Sequence, residues 1–220
     1  MNWRQYAFPA AVLGIAAIAG LVILIANSGG GEKGGNAGGC EDVSAPAPKQ
    51  VRERKPTLRL DRSKTYLATV ATSCGTFVIR LDAKQAPKTG GSFVTLARDH
   101  FYDGLGFHRI APGFVIQGGD PAGNGSGGPG YKIRERPPAG IVYSEGTVAM
   151  AKAGAEPAGT SGSQFFVVTG SNANLPPEYA LLGRVTEGVP VVHRIEDLAS
   201  TSDGPPSKPV VIEKISISES

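Results

Sequence analysis

Apolar residues are spread unevenly along the chain. Residues 6–26 are apolar almost without interruption, and no charge lies between Arg4 and Glu32. About 20 apolar residues cross a bilayer as a helix, so residues 1–26 predict a single N-terminal transmembrane anchor. Pro9 lies near its start, where a helix tolerates it. The alternative is a cleaved signal peptide. Its apolar stretch would be only about 7–15 residues and would end in a small-x-small site, which Ile25-Ala26-Asn27-Ser28 fits loosely. Residues 27–60 are Gly-rich, then Ala/Pro-rich with scattered charges, and predict a flexible linker that cannot fold alone.

From residue 61 to 220 the pattern changes to short alternating runs. Residues 66–72 and 76–81 flank Ser73-Cys74-Gly75 and predict a β-hairpin. Residues 87–99 predict a helix with Pro87 near its start and Phe93, Leu96 and Ala97 on one face, weakened by Gly90-Gly91. Apolar runs at 113–117, 147–151, 164–169 and 180–185 are separated by turns. A second helix over 189–198 and a closing strand over 210–217 follow, with Val211, Ile215 and Ile217 in one phase. Many short strands with two helices predict a mainly β domain, a closed or nearly closed barrel, over 61–220.

Charge sharpens this division. The chain of 220 residues has a net charge of +3, and all of that excess lies in residues 1–60; residues 61–220 carry fifteen basic and fifteen acidic side chains. A neutral domain argues against nucleic-acid binding, which needs a basic face. Arg4 precedes the apolar segment and Lys33 is the only basic residue closely following it, so the positive-inside rule favours an internal N-terminus and an external domain. In that setting Cys40 and Cys74 are candidates for a disulfide; the alternative is two free thiols. His100, His108 and His193 are scattered and no Cys/His spacing suits zinc, so no metal is expected. The chain has no G-K-[ST] phosphate loop, no G-x-S-x-G elbow and no H-E-x-x-H.

One dense segment remains, Phe107-His108-Arg109-Ile110-Ala111-Pro112-Gly113-Phe114-Val115-Ile116-Gln117-Gly118-Gly119-Asp120, with a second, Ser161-Gly162-Ser163-Gln164-Phe165-Phe166-Val167-Val168. Were 113–117 a strand, alternation would set Phe114 and Ile116 on one face and Val115 and Gln117 on the other. The order F-H-R-I-x-P-G-F-x-x-Q-G-G-D, then G-x-G-G, M-A and G-S-Q-F-F resembles the cyclophilin family of peptidyl-prolyl isomerases, over about 65–217. The resemblance implies a closed eight-stranded antiparallel barrel capped by two helices and catalysis of rotation about Xaa-Pro bonds, with no cofactor. It implies that Arg109 is the catalytic arginine, oriented by Gln117, with Phe114 beside them. Phe114, Val115, Phe166 and Leu175 match the proline pocket. Ala151 and Lys152 match positions whose backbone pairs with the peptide, Met150 and Gln164 match neighbours of the groove, and Tyr179 is placed to offer a hydroxyl and a ring edge.

The chain departs from the family at several of these positions. Val115 stands where many members carry methionine, and Lys152 where asparagine is common. The loop reading W-L-D-G-x-H in eukaryotic members is Asn174-Leu175-Pro176-Pro177-Glu178-Tyr179 here, so the tryptophan touched by the inhibitor cyclosporin is absent and weak inhibition is implied. That loop resembles bacterial members. Tyr143, on a loop, reads as an ordinary surface aromatic, which is also the alternative to the groove role of Tyr179, and His108 reads as structural. The chain is therefore expected to be a monomeric isomerase assisting protein folding. It would act on proline-containing polypeptides from a single-pass anchor in a bacterial cell membrane, with its catalytic domain outside the cytoplasm. The alternative is a proline-peptide binding module or holdase chaperone with incidental turnover.

Overall fold

The computed structural model describes residues 39–220. The expected anchor, 1–26, and the first part of the expected linker lie outside the described residues. Among those described, no helix is long and apolar enough to cross a membrane.

Ten strands and two helices form in the order β1 (Tyr66–Thr72), β2 (Gly75–Leu81), α1 (Pro87–Arg98), β3 (Leu105–Ala111), β4 (Val115–Asp120), β5 (Ile133–Arg134), β6 (Thr147–Met150), β7 (Thr160–Ser161), β8 (Phe165–Val168), β9 (Leu181–Glu187), α2 (Val189–Glu196) and β10 (Val211–Glu219). Eight of the strands close an antiparallel barrel in the order β1-β10-β3-β4-β8-β6-β9-β2, and β5 pairs with β7 in a small separate sheet. The hairpin of β1 and β2 pairs Tyr66 with Leu81 and Thr72 with Gly75. Alternation then puts Ala68, Val70, Phe77 and Ile79 inside, all fully buried. Phe93 from α1, Tyr102, Phe107 and Phe165 interlock edge-to-face or tilted at centroid distances of 5.0 to 5.9 Å and close one end of the core.

Two strands break the alternation that the sequence suggests. β10 is bulged opposite Ala71–Thr72, so its buried residues are Ile212 and Ile215, and Val211 and Ile217 are only partly covered. β3 shifts register against β4 on both sides of Phe107, and Phe107 pairs with Gly118 but Arg109 with Gln117. Phe107 and Ile110 both enter the core, and the consecutive pair His108-Arg109 remains half-buried on the outside. That bulge makes β3 the strand least visible in the sequence, and it aims Arg109 outward.

Residues 39–60 form no helix or strand, as a linker would, but the domain holds them. Main-chain bonds run from Glu41 N–H to Ser73 (2.7 Å), Lys49 N–H to Pro121 (2.7 Å), Glu53 N–H to Pro129 (2.8 Å) and Leu60 N–H to Pro87 (3.0 Å). Cys40 and Cys74 are joined by a disulfide, and the Lys208 ammonium donates to the Cys40 carbonyl (2.9 Å) and to Asp42 (3.1 Å). Leu60 is buried over α1. A Cβ at Gly90 would overlap the Leu60 side chain, and one at Gly91 would overlap the Leu58 carbonyl. The glycine pair that weakens the helix by propensity is thus where the extended strap crosses it.

Candidate active site

The outer face of the barrel carries a second, smaller apolar cluster, separate from the core. Val115, Tyr143, Ala149, Phe166 and Val168 are buried in it, with Phe114, Ile141, Ala151, Ala173, Leu175 and Tyr179 packed at its margin. Strand periodicity builds it. In β4 and β8, Ile116, Phe165 and Val167 point into the core, so Val115, Phe166 and Val168 point out.

Two sequence expectations are corrected here. Met150 is 2 % exposed in the barrel core, and its neighbour Ala149 takes the groove side of β6. Phe114 does not alternate with Val115, because β4 begins at Val115 and Phe114 belongs to the preceding turn, closed by its N–H on the Ala111 carbonyl (3.0 Å). Both residues therefore reach the same cluster.

Arg109 lies beside this cluster, its guanidinium carbon 5.9 Å from the centre of the Phe114 ring. Nη1 donates to Gln117 Oε1 (3.1 Å), and Gln117 Nε2 donates to Gln164 Oε1 (2.9 Å). Gln164 Nε2 donates in turn to the carbonyls of Gly125 and Gly127, both at 2.9 Å. The Gly-rich loop is shaped by the buried Asp120 carboxylate, which accepts from the N–H groups of Ala122 and Asn124 (2.9 Å each) and Gly125 (2.5 Å). On its other side Arg109 makes a two-pronged ion pair with Asp203, Nε to Oδ1 at 2.6 Å and Nη2 to Oδ2 at 2.8 Å. The hydrogen bonds to Asp203 hold the guanidinium above its usual range and the carboxyl below its own. Sequence reading did not find Asp203. It lies 94 residues from Arg109, and only its Asp-Gly turn hints at a fixed loop.

The opposite wall is aromatic. Tyr143 is fully buried rather than a surface aromatic. Its hydroxyl donates to the Tyr179 carbonyl (2.6 Å) and accepts from the Tyr179 N–H (3.1 Å). Burial pushes the Tyr143 hydroxyl up to about 12, against the lowering effect of its bond to Tyr179. Tyr179 meets Phe166 edge-to-face at 5.5 Å. The Lys152 ammonium sits 5.6 Å from the Tyr179 ring and pairs with Glu178 at 3.0 Å, its side chain almost fully covered. Leu175 closes the margin, behind a turn in which Asn174 adopts φ 51°.

His108 stands beside Arg109 with its ring turned away from hydrogen-bond partners. Burial lowers its pKa, Asp120 opposing and Arg109 assisting, and both ring nitrogens are buried without a partner among the described residues. No group of three or more potential metal ligands occurs among the described residues. A cleft of about 710 Å³ elsewhere, edged by Arg62, Arg80 and Lys84, contains none of the motif residues.

The site therefore has a fixed cation beside an apolar cluster on the barrel's outer face. The family described as cyclophilin type peptidyl-prolyl cis-trans isomerase/CLD matches residues 67–217, nearly the whole barrel. The chain belongs to the cyclophilin family. It is similar to peptidyl-prolyl cis-trans isomerase A of Mycobacterium tuberculosis, 40% identical over 172 residues covering 70% of this chain and 93% of that one. It is also similar to the peptidyl-prolyl cis-trans isomerase of Helicobacter pylori, 41% identical over 137 residues covering 61% and 82%. Among solved structures, a cyclophilin type peptidyl-prolyl cis-trans isomerase of Cryptosporidium parvum, determined in the presence of the dipeptide Ala-Pro, superposes with a TM-score of 0.64. It is 31% identical and covers 69% of this chain and 98% of its own. This cyclophilin is a peptidyl-prolyl cis-trans isomerase.

Proposed function

We propose that this cyclophilin turns Xaa-Pro bonds with Arg109 as its catalytic group, the proline ring resting on Phe114, Val115, Phe166 and Leu175. The barrier is amide resonance, roughly 18–20 kcal/mol, and twisting the bond returns a lone pair to the prolyl nitrogen. A cation that donates hydrogen bonds stabilises that nitrogen more than the planar amide. This is preferential binding of the transition state and needs no nucleophile or proton transfer. A guanidinium has five N–H donors; three of those on Arg109 are committed to Gln117 and Asp203, leaving one on Nη1 and one on Nη2 for the substrate. The Ala151 N–H is held by the Gln164 carbonyl (2.9 Å), so the peptide backbone would pair with the Ala151 carbonyl and the Lys152 N–H.

The single observation carrying this reading is Arg109, fixed through Gln117 at the edge of an apolar pocket. The test is a protease-coupled or NMR exchange assay on the full chain with an Xaa-Pro peptide. Arg109→Ala is expected to lower kcat/KM roughly 100-fold, the loss typical of removing one preorganised donor. A variant within twofold of wild type would overturn the assignment.

We further propose that the domain works outside the cytoplasm as a monomer, tethered to a bacterial membrane by residues 1–26, where it assists folding of exported chains. The apolar run before Glu32 and the Cys40–Cys74 disulfide, a bond that persists in oxidising compartments, support this reading. In intact spheroplasts, added protease should digest the domain without lysis. Protection until lysis would place the domain inside.

A further inference from the structure

Asp203 lies on the loop 199–207, which follows α2 and is built rather than loose. Ala199 and Pro206 bridge it at its base, Ser207 N–H donates to the Leu198 carbonyl (2.6 Å), and Ser200 Oγ donates to the Pro205 carbonyl (2.6 Å). Its tip is fixed to β3. Ile110 N–H donates to Gly204 O (2.7 Å) and Gly204 N–H to Ile110 O (3.1 Å), a reciprocal antiparallel pair at the residue immediately after Arg109. Backbone pairing of Ile110 with Gly204 thus sets Asp203 beside Arg109.

The contact is two-pronged, one carboxylate oxygen on Nε and the other on Nη2, the arrangement in which a carboxylate fixes a guanidinium in both position and orientation. It takes the Nε edge, and Gln117 takes Nη1, so the plane is held from two elements distant in sequence. Both partners are partly exposed, Arg109 at 33% and Asp203 at 53%, so their attraction is screened by water and adds little to stability. What the contact supplies is orientation: without it, Arg109 has one anchor and free torsions along its stem.

We infer that Asp203 is a positioning residue for the isomerase reaction, holding the Arg109 guanidinium so that its two uncommitted N–H groups face the prolyl bond. This rests on Arg109 acting at that bond. A positioning residue acts on the transition-state contact and leaves the apolar pocket alone, so its loss lowers kcat and spares KM.

The test compares wild type, Asp203→Ala, Asp203→Asn and Arg109→Ala as full chains in the peptide assay. Asp203→Ala should lower kcat roughly tenfold, a modest loss for a misplaced reacting group, with KM within twofold. Asp203→Asn, which keeps an acceptor oxygen towards Nε, should retain at least half of the wild-type kcat. In NMR, the Arg109 Nε–H signal should be protected from exchange in wild type and Asp203→Asn and lost in Asp203→Ala. An Asp203→Ala variant whose kcat stays within twofold of wild type or rises, or whose Nε–H stays protected, overturns the inference. So does a loss confined to KM. If Arg109→Ala is inactive while Asp203→Ala is normal, Asp203 falls and the role of Arg109 stands; if Arg109→Ala is itself normal, the reading beneath both fails.

Discussion

Arg109 reaches the outside of the barrel because β3 bulges at His108, and side chains from β4 and the loop after α2 keep it there. The groove wall facing it depends in the same way on one residue that sequence reading set aside. The Tyr143 hydroxyl satisfies both the N–H and the carbonyl of Tyr179. Tyr143→Phe leaves those two groups without their partner at a cost of about 1–3 kcal/mol. At about 2–4 °C per kcal/mol for a domain of this size, the unfolding midpoint should fall by several degrees in calorimetry, and KM for an Xaa-Pro peptide should rise as Tyr179 loosens. An unchanged midpoint and KM would refute that role. Residue identities around the site were legible because Phe107–Asp120 and Gly162–Phe166 are dense, ordered motifs. Side-chain direction was not always legible. Phe114 sits in a turn, where strand alternation does not apply, and Met150 occupies the core phase of β6. Tyr143 lacked any local signal, since its burial comes from Phe166 and Tyr179, on distant segments.

Among elements, α2 reaches the site through its side chains. Glu196 Oε1 accepts from the Gly113 N–H (2.7 Å), tying the helix to the turn that carries Phe114. His193 bridges Glu196 (Nδ1 to Oε2, 2.9 Å) and Glu145 (Nε2 to Oε1, 2.7 Å), linking α2 to the loop before β6. The bonds to Glu196, then to Glu145, raise the His193 pKa. A group whose folded pKa is raised stabilises the fold fully below its unfolded value, about 6.5 for histidine, and loses that contribution as pH rises through the folded value. His193→Gln should therefore flatten the fall in unfolding midpoint as pH rises above about 6.5, in a series of melts at fixed salt. His193 is 39% exposed, so the effect is small; equal slopes in the two proteins would remove His193 from this role. The helix itself was readable from its apolar spacing, and its end two residues early, at Glu196, is ordinary fraying. The bridge was not readable, because the three residues it joins lie at 145, 193 and 196 and share no local pattern.

At the scale of the whole domain, the strap 39–60 shows where composition misleads. It has few apolar residues, so it reads as a chain that cannot bury enough surface to be ordered. Its order comes instead from main-chain hydrogen bonds, the Cys40–Cys74 bond and the glycine gap on α1. Its bonds at Lys49 and Glu53 grip Pro121 and Pro129, the two flanks of the loop whose Gly125 and Gly127 carbonyls hold Gln164. The strap is thereby connected, through Gln164 and Gln117, to Arg109. The disulfide spans 34 residues, and closing a loop of that length restricts the unfolded chain by about 4 kcal/mol in the chain-entropy account. Replacing both cysteines by alanine should lower the unfolding midpoint by on the order of 10 °C. The Lys49 and Glu53 amides should exchange faster with deuterium, while those of the barrel strands keep their protection at 25 °C. Activity at 25 °C should fall by less than in Arg109→Ala, because the apolar pocket and Asp203 stay in place while only the Gly125–Gln164 support loosens. If Lys49 and Glu53 remain as protected as before, the strap is held by its hydrogen bonds alone and the disulfide adds nothing to its order.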